Sequence, residues 1–391
     1  MKSHEKTKAR KVCCVITARP SYARVKSLLQ AIKDHQKLEL QLVLAGSALV
    51  DRYGNVARTI ENDGFSVSEK IYNVLEGESQ SSMAKTTGIA IMELSTTFSN
   101  LKPDIVITIA DRFETIATSI ASSYQNIPLA HVQGGEVTGN IDEKVRHANT
   151  KLADLHFVAS ADAETRVIKM GESKDSVFNT GCPSMDLVYD VMNSKMMEFD
   201  PIEKYGGVGK EINFSDGYIV VMQHPVTNEF EYSKDNILKT LRVVDNLNIP
   251  TFWFWPNVDA GSDGTSNGIR TYRELYDPDN IFFFKNMDPE DFLVLLKNSK
   301  CLVGNSSAGI RECGMLGVPV INIGSRQNKR QRAKNVIDCD YVEKDIEDSI
   351  KTQINKGHFK SESIYGDGFA GKRIAEILSE CKLSFSKTIS Y

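Results

Sequence analysis

The sequence predicts an α/β protein made of two doubly wound, Rossmann-like domains that face an interdomain cleft. Short, unbroken apolar runs alternate with amphipathic helical stretches, the signature of parallel strands covered on both faces. The alternation comes in two series, separated by a stretch without periodicity. The chain has 391 residues, room for two or three domains at roughly 100–200 residues each.

In order, the first series runs VCCVIT (12–17) and a helix over 23–32, LQLVLAG (40–46) and a helix from Val56, DIVITIA (104–110) and a helix over 114–124, then PLAHVQ (128–133) and a helix over 142–153. This is βαβ repetition, hence a doubly wound sheet. The second series runs GYIVVMQ (217–223), TFWFWP (251–256), IFFFK (281–285), CLVGNSS (301–307) and PVINIG (319–324). Between the series, residues 188–214 carry Asp200-Pro201 and Gly206-Gly207-Val208-Gly209, a composition that breaks elements and reads as a linker. The expected domains are therefore 11–188 and 189–368. A helix over Gly371–Cys381 is expected to cross back, so that 369–391 joins the first domain. Ligands of open α/β sheets bind beyond the carboxyl ends of the strands, which places the expected site in the cleft.

Forty-seven Lys and Arg oppose 51 Asp and Glu, for a net charge of -4. Such a balance gives no global field for a nucleic acid or an anionic membrane, so neither is an expected partner. No run approaches the roughly 20 apolar residues of a membrane span, and the reading is a cytoplasmic protein. Seven scattered cysteines lack CxxC or zinc spacing and read as reduced, mostly buried thiols. The Lys- and Arg-rich start, residues 1–10, reads as a solvated leader.

Candidate chemistry sits where loops follow strands. GNSSAGIRE (304–312) places Ser306 and Ser307 at a helix start, with Glu312 about two turns in. Backbone N–H groups and hydroxyls there suit a phosphate, with Glu312 reaching a ribose diol; a plain serine N-cap with a solvated Arg311–Glu312 fits equally well. Arg326, after PVINIG, is a natural diphosphate partner through its fork. His224 stands before Pro225 after GYIVVMQ and is placed to touch a phosphate or protonate a leaving group. Asn257 and Asp259 follow TFWFWP. In the first domain Arg19 stands where other α/β domains carry a glycine-rich loop, and neither GxGxxG nor GxxxxGK[ST] occurs, against nicotinamide and P-loop chemistry. Asp111, Arg112, Glu114, Glu136, Asp142 and Glu143 follow other strands. They read as acid–base carboxylates with their arginine, or, for Asp142 and Glu143, as a pair complementing a helix dipole.

Taken together, Ala110-Asp111-Arg112, HVQGGEVTGNID (131–142), RHANTKLA (146–153), GCPSMD (181–186), QHPVT (223–227), PNVDAGS (256–262), GNSSAGIRE, GSRQ (324–327) and YGDG (365–368) closely resemble the UDP-N-acetylglucosamine 2-epimerases of the hydrolysing type. The resemblance runs from about Lys11 to Ile377. It implies a fold like that of the GT-B glycosyltransferases, a homodimer or homotetramer, no cofactor or metal, and a UDP-sugar substrate. The implied reaction eliminates UDP to a 2-acetamidoglycal and hydrates it to N-acetylmannosamine, feeding sialic-type acid synthesis. Uridine diphosphate contacts carry over to Arg19, Arg112, His224, Ser306, Ser307, Glu312 and Arg326. Acid–base positions carry over to Asp111, Asp142 and Gln133, the last replacing the family's glutamate. Ser21 and Ile109 likewise stand where the family has an aspartate and a histidine, and Ala110 where it has a glycine. These exchanges leave the sugar pocket less charged, which favours a deoxy or 4-acetamido sugar more than in ordinary members, with UDP-N-acetylglucosamine the first reading. The same reaction on UDP-2,4-diacetamido-2,4,6-trideoxyglucose, a glycosyltransferase and a non-catalytic sugar-nucleotide sensor are the competing readings.

Overall fold

The computed structural model describes residues 8–50, 56–75, 80–137, 141–193, 197–256 and 262–390. Residues 1–7 of the leader, Asn257 and Asp259 lie outside the described residues. The chain divides into two compact units. The first takes the chain up to Val137, Ile141–Asp186 and the return from Tyr365; the second is Leu187–Ile364.

The first unit holds strands β1 (Arg10–Ile16), β2 (Leu38–Ala45), β3 (Glu69–Ile71), β4 (Ile105–Ile109), β5 (Leu129–Val132), β6 (Leu155–Val158) and β7 (Val177–Asn179). They form one sheet in the order β3-β2-β1-β4-β5-β6-β7, every pair parallel. Alternation along β1 explains why its apolar run is continuous. Val12, Cys14 and Ile16 point into one core with Leu42, Leu44, Ile105 and Ile107. Cys13 and Val15 point into the other with Val43, Val106, Leu94 and Phe98. Both faces are thus covered, as parallel sheets require.

The second unit repeats the plan with β8 (Ile219–Met222), β9 (Thr251–Phe254), β10 (Ile281–Phe284), β11 (Leu302–Gly304), β12 (Val320–Ile323) and β13 (Val336–Cys339), in the order β10-β9-β8-β11-β12-β13. All these pairs are parallel too. Trp253, Phe283 and Val221 fill one face, and Phe252, Phe254, Phe282 and Phe284 the other.

Two sequence expectations change. Residues 197–214 are not a loose linker: Ile212 is buried in the second unit's core and Met197, Ile202, Tyr205 and Phe214 pack against it. Residues 188–193 are the end of the helix Ser184–Asn193. The glycine run is bound to the sheet edge, where Val208 and Phe283 exchange backbone hydrogen bonds of 3.0 and 2.9 Å. A Cβ at Gly207 would lie 2.6 Å from the Phe283 carbonyl oxygen, so only glycine permits the approach. The segment covers an edge that would otherwise expose unpaired backbone groups.

The return to the first unit begins at Tyr365 rather than 369. The helix Ala370–Glu380 packs its Ile374, Ala375 and Leu378 into the first unit's core. Asp186 of GCPSMD fixes its start, accepting from the backbone N–H of Ala370 (2.9 Å) and Gly371 (2.8 Å) and from the Ser27 hydroxyl (2.8 Å). Gly181 packs on Gly366 so closely that a Cβ would lie 2.8 Å from its Cα. The GCPSMD and YGDG motifs therefore meet, and part of their work is to close the fold.

Candidate active site

In the first unit the site builds from the turns after β4 and β5. Both turns pass through a left-handed residue that is not glycine, Ala110 with φ 57° and Gln133 with φ 66°. Such backbone costs on the order of 1–2 kcal/mol and persists only where the surroundings enforce it. At Ala110 His131 does so. Its Nε2 lies 2.9 Å from the Ala110 carbonyl oxygen and its Nδ1 3.1 Å from the Thr150 hydroxyl. A carbonyl only accepts, so Nε2 carries the proton and Nδ1 accepts from Thr150. Burial pushes the His131 pKa down to about 3, which keeps the ring neutral.

Asp111, the next residue, is buried against Arg146 and lies 3.7 Å from Arg24. Arg146 also reaches Glu136, at 3.6 Å. Arg112 donates from Nε to Glu114 at 2.9 Å. Gln133 is buried and its amide N–H donates to the Cys182 sulfur at 2.8 Å, with the Ser184 hydroxyl 3.0 Å from the same sulfur. Asp142 and Glu143 occupy the first turn of the helix Ile141–Leu152, where their charge complements the dipole; His147 lies 3.4 Å from Glu143. Arg19 is exposed at the start of the helix Arg19–Asp34. Ser21, two residues on, is buried.

In the second unit one buried side chain organises three loops. Asn305, after β11, accepts from the His224 N–H at 2.7 Å and donates to the His224 carbonyl at 2.9 Å. Its own carbonyl accepts from Arg326 (3.2 Å) and from Gln327 (2.9 Å). Gly304 makes this possible: at φ 128° its position lies so close to Met222 that a Cβ would meet the Met222 carbonyl oxygen at 2.2 Å. His224, Arg326 and the GNSS turn are thereby one construction. Burial, assisted by the Arg326 charge, pushes the His224 pKa down to about 3. An anion at this site would favour the protonated ring again.

Ser306 is the N-cap of Ser307–Ile310 and accepts from the Ala308 N–H at 3.3 Å, so capping is one of its roles. The helix is broken at Arg311 (φ -102°, ψ -70°), and Glu312 opens a second short helix, Glu312–Leu316, instead of lying two turns into one. Ser307, Glu312 and Arg326 are half-buried.

The structure thus places Asp111, Arg112 and Gln133 in the turns after β4 and β5 with Asp142 in the first turn of the helix Ile141–Leu152, and His224, Ser306 and Arg326 in loops after β8, β11 and β12 with Ser307 and Glu312 opening the two short helices after β11. Sequence reasoning gave no role to His131, Arg146 or Asn305. Arg146 had a signal: four residues after Asp142 on a helix, it shares that residue's face.

Two all-parallel sheets of one strand order, one followed by buried carboxylates and the other by a serine turn with an arginine, define a two-unit α/β protein of the doubly wound class. The particular family follows from comparison. Residues 30–379 match the UDP-N-acetylglucosamine 2-epimerase model, and the chain belongs to that family. It is 32% identical to the UDP-N,N'-diacetylbacillosamine 2-epimerase (hydrolyzing) of Legionella pneumophila, over 96% of this chain and 97% of that one. It is 29% identical to the UDP-N-acetylglucosamine 2-epimerase of Neisseria meningitidis serogroup B, over 95% of each. Among solved structures, the Neisseria meningitidis UDP-GlcNAc 2-epimerase bound to UDP-GlcNAc shares the fold with a TM-score of 0.77 at 18% identity, over 94% of this chain and 99% of that one.

Proposed function

We propose that the protein is a hydrolysing 2-epimerase that takes a UDP-linked 2-acetamido sugar, with UDP-N-acetylglucosamine as first substrate. The observation that carries the proposal is the retained Asp111, buried against a guanidinium in a chain that matches the family model over residues 30–379. A base takes the C2 proton, the C2–H electrons form the C1=C2 bond, and the C1–O bond breaks with its electrons leaving on UDP. Water then adds across the glycal, OH to C1 and a proton to C2 on the opposite face. Asp111 and Asp142 supply the proton steps, as positioned carboxylates do. Gln133 contributes hydrogen bonds, because an amide neither takes nor gives a proton near neutrality. Arg19, Arg112, Arg326, Ser306 and Ser307 neutralise the departing diphosphate, His224 contacts it, and Glu312 takes the ribose. Asn257 and Asp259 complete the proposed substrate contacts.

A second reading has its own support. The Legionella relative is named for a diacetylated bacillosamine sugar, and Ser21, Ile109 and Gln133 are all uncharged here. It gives the same reaction on UDP-2,4-diacetamido-2,4,6-trideoxyglucose. Incubation with each sugar nucleotide, with products identified by NMR, decides between them; release of neither 2-epimer sinks both. The proposal includes cytoplasmic work in sialic-type acid synthesis as a homodimer or homotetramer, which light scattering of the purified protein tests. No helix of the described residues is long and apolar enough to cross a membrane.

A further inference from the structure

Arg146 belongs to the RHANTKLA motif, which the proposed reaction leaves without a role. It is buried, 2% exposed, and comes from the helix Ile141–Leu152, one turn after Asp142. One end of its guanidinium holds a carboxylate oxygen of Asp111, at the turn after β4; the other faces Glu136, beyond β5, at 3.6 Å. A planar fork suits such bridging in a way an ammonium does not. Other charged groups stand near Asp111, and Arg24 is a second, longer partner. Arg24, from the helix that follows β1, stands at 3.7 Å from its other oxygen. Arg112 and Glu114 pair with one another, and Glu143 with His147. His131, which holds the Ala110 carbonyl, is buried.

We propose that Arg146 is the positioning residue of Asp111, fixing the direction of its carboxylate and holding it ionised for the proton step. The position of Asp111 needs such help. Its turn starts from a left-handed alanine, and a buried carboxylate favours its protonated form unless a close counter-charge holds it ionised; the Arg24 contact is longer, and Arg24 more exposed, than that of Arg146. By binding Glu136 at the same time, Arg146 ties the turns after two neighbouring strands to the helix that carries Asp142. It touches no reacting atom in this scheme and acts through Asp111.

The assignment rests on the epimerase reading, and the test separates the two. Turnover of UDP-N-acetylglucosamine and of the diacetamido analogue is measured for wild type, Arg146→Lys, Arg146→Met, Asp111→Asn and Asp111→Asn/Arg146→Lys, with UDP affinity by calorimetry and melting curves alongside. Arg146→Lys keeps a charge and should lose about tenfold in kcat, with KM and UDP affinity within about twofold of wild type. Arg146→Met should lose about 100-fold, and the acid limb of its kcat profile should move up by about one pH unit or more. Relative to Asp111→Asn, adding Arg146→Lys should cost no more than about twofold, since the two residues act as one. A kcat for Arg146→Lys within threefold of wild type, an equal loss in KM and UDP affinity, or a full tenfold loss in the Asp111→Asn background would overturn the assignment. If Arg146→Met does not fold, Arg146→Lys decides alone. Wild-type protein silent on both sugars would overturn the epimerase reading and this assignment with it.

Discussion

Replacing Asn305 with alanine tests whether one side chain holds together the loops after β8, β11 and β12. Asn305 is wholly buried and exchanges two hydrogen bonds with the backbone of His224, at 2.7 and 2.9 Å. Each such bond contributes about 1 kcal/mol net, and stranding a buried backbone group costs about 1–3 kcal/mol. The two losses together come to about 2–4 kcal/mol, because loop relaxation and entering water recover part of the desolvation. A unit of about 150–250 residues melts about 2–4 °C lower for each kcal/mol lost. The expected drop is about 4–16 °C, read by circular dichroism. The same change frees the His224 loop, and UDP affinity by calorimetry should fall at least tenfold. Asn305→Asp keeps the acceptor for the His224 N–H but sets a carboxylate oxygen against the His224 carbonyl, so it should not rescue. A melting temperature within 2 °C of wild type, with unchanged UDP affinity, would refute the account of Asn305.

The nucleotide assignment predicts that Arg326→Ala, and separately Ser306→Ala with Ser307→Ala, weaken UDP binding about tenfold or more, since hydrogen bonds to a charged group contribute about 1.5–3 kcal/mol each; unchanged calorimetric affinity in both would remove the phosphate from this loop. Asp111→Asn and Asp142→Asn should each lose about 100-fold or more in turnover, and Gln133→Ala less than either; a Gln133→Ala loss as large as theirs would restore a proton role to that position. Stability should fall with acid. His131 and His224 have native pKa values lowered to about 3, below the 6.5 of an exposed histidine. Between those values the unfolded chain binds the extra protons, so the stability they confer is fully present above pH 6.5 and is lost as pH falls toward 3. Melting temperatures from pH 7.5 to 5 should decline in wild type and decline less in His131→Gln; parallel curves would contradict the buried neutral histidine.

Much of this was legible in the sequence, for a physical reason. Central strands such as β1, β4 and β8 are buried on both faces, so they appear as unbroken apolar runs. Edge strands do not: β3 is Glu69-Lys70-Ile71, and β13 sits half-exposed at its own edge. The Gly206–Gly209 segment reads as a linker because its pairing is backbone to backbone and leaves no side-chain period. Candidate residues were legible where a polar or charged side chain stands in a loop that follows an apolar strand. Asn305 was not, since its work is done on the backbone of a residue 81 positions away in the chain. Gln133 was visible as an exchange, but its bond to Cys182 depends on a fold that brings together residues 49 apart.

The most direct test of the central claim is turnover in heavy water. Wild-type protein is incubated with UDP-N-acetylglucosamine, and with the diacetamido analogue, and the released sugar is examined by proton NMR. Elimination must take the C2 hydrogen and hydration must return one from solvent, so UDP should appear together with a C2-inverted sugar that carries deuterium at C2. UDP release with protium retained at C2 would mean simple hydrolysis of the sugar nucleotide and would contradict the account.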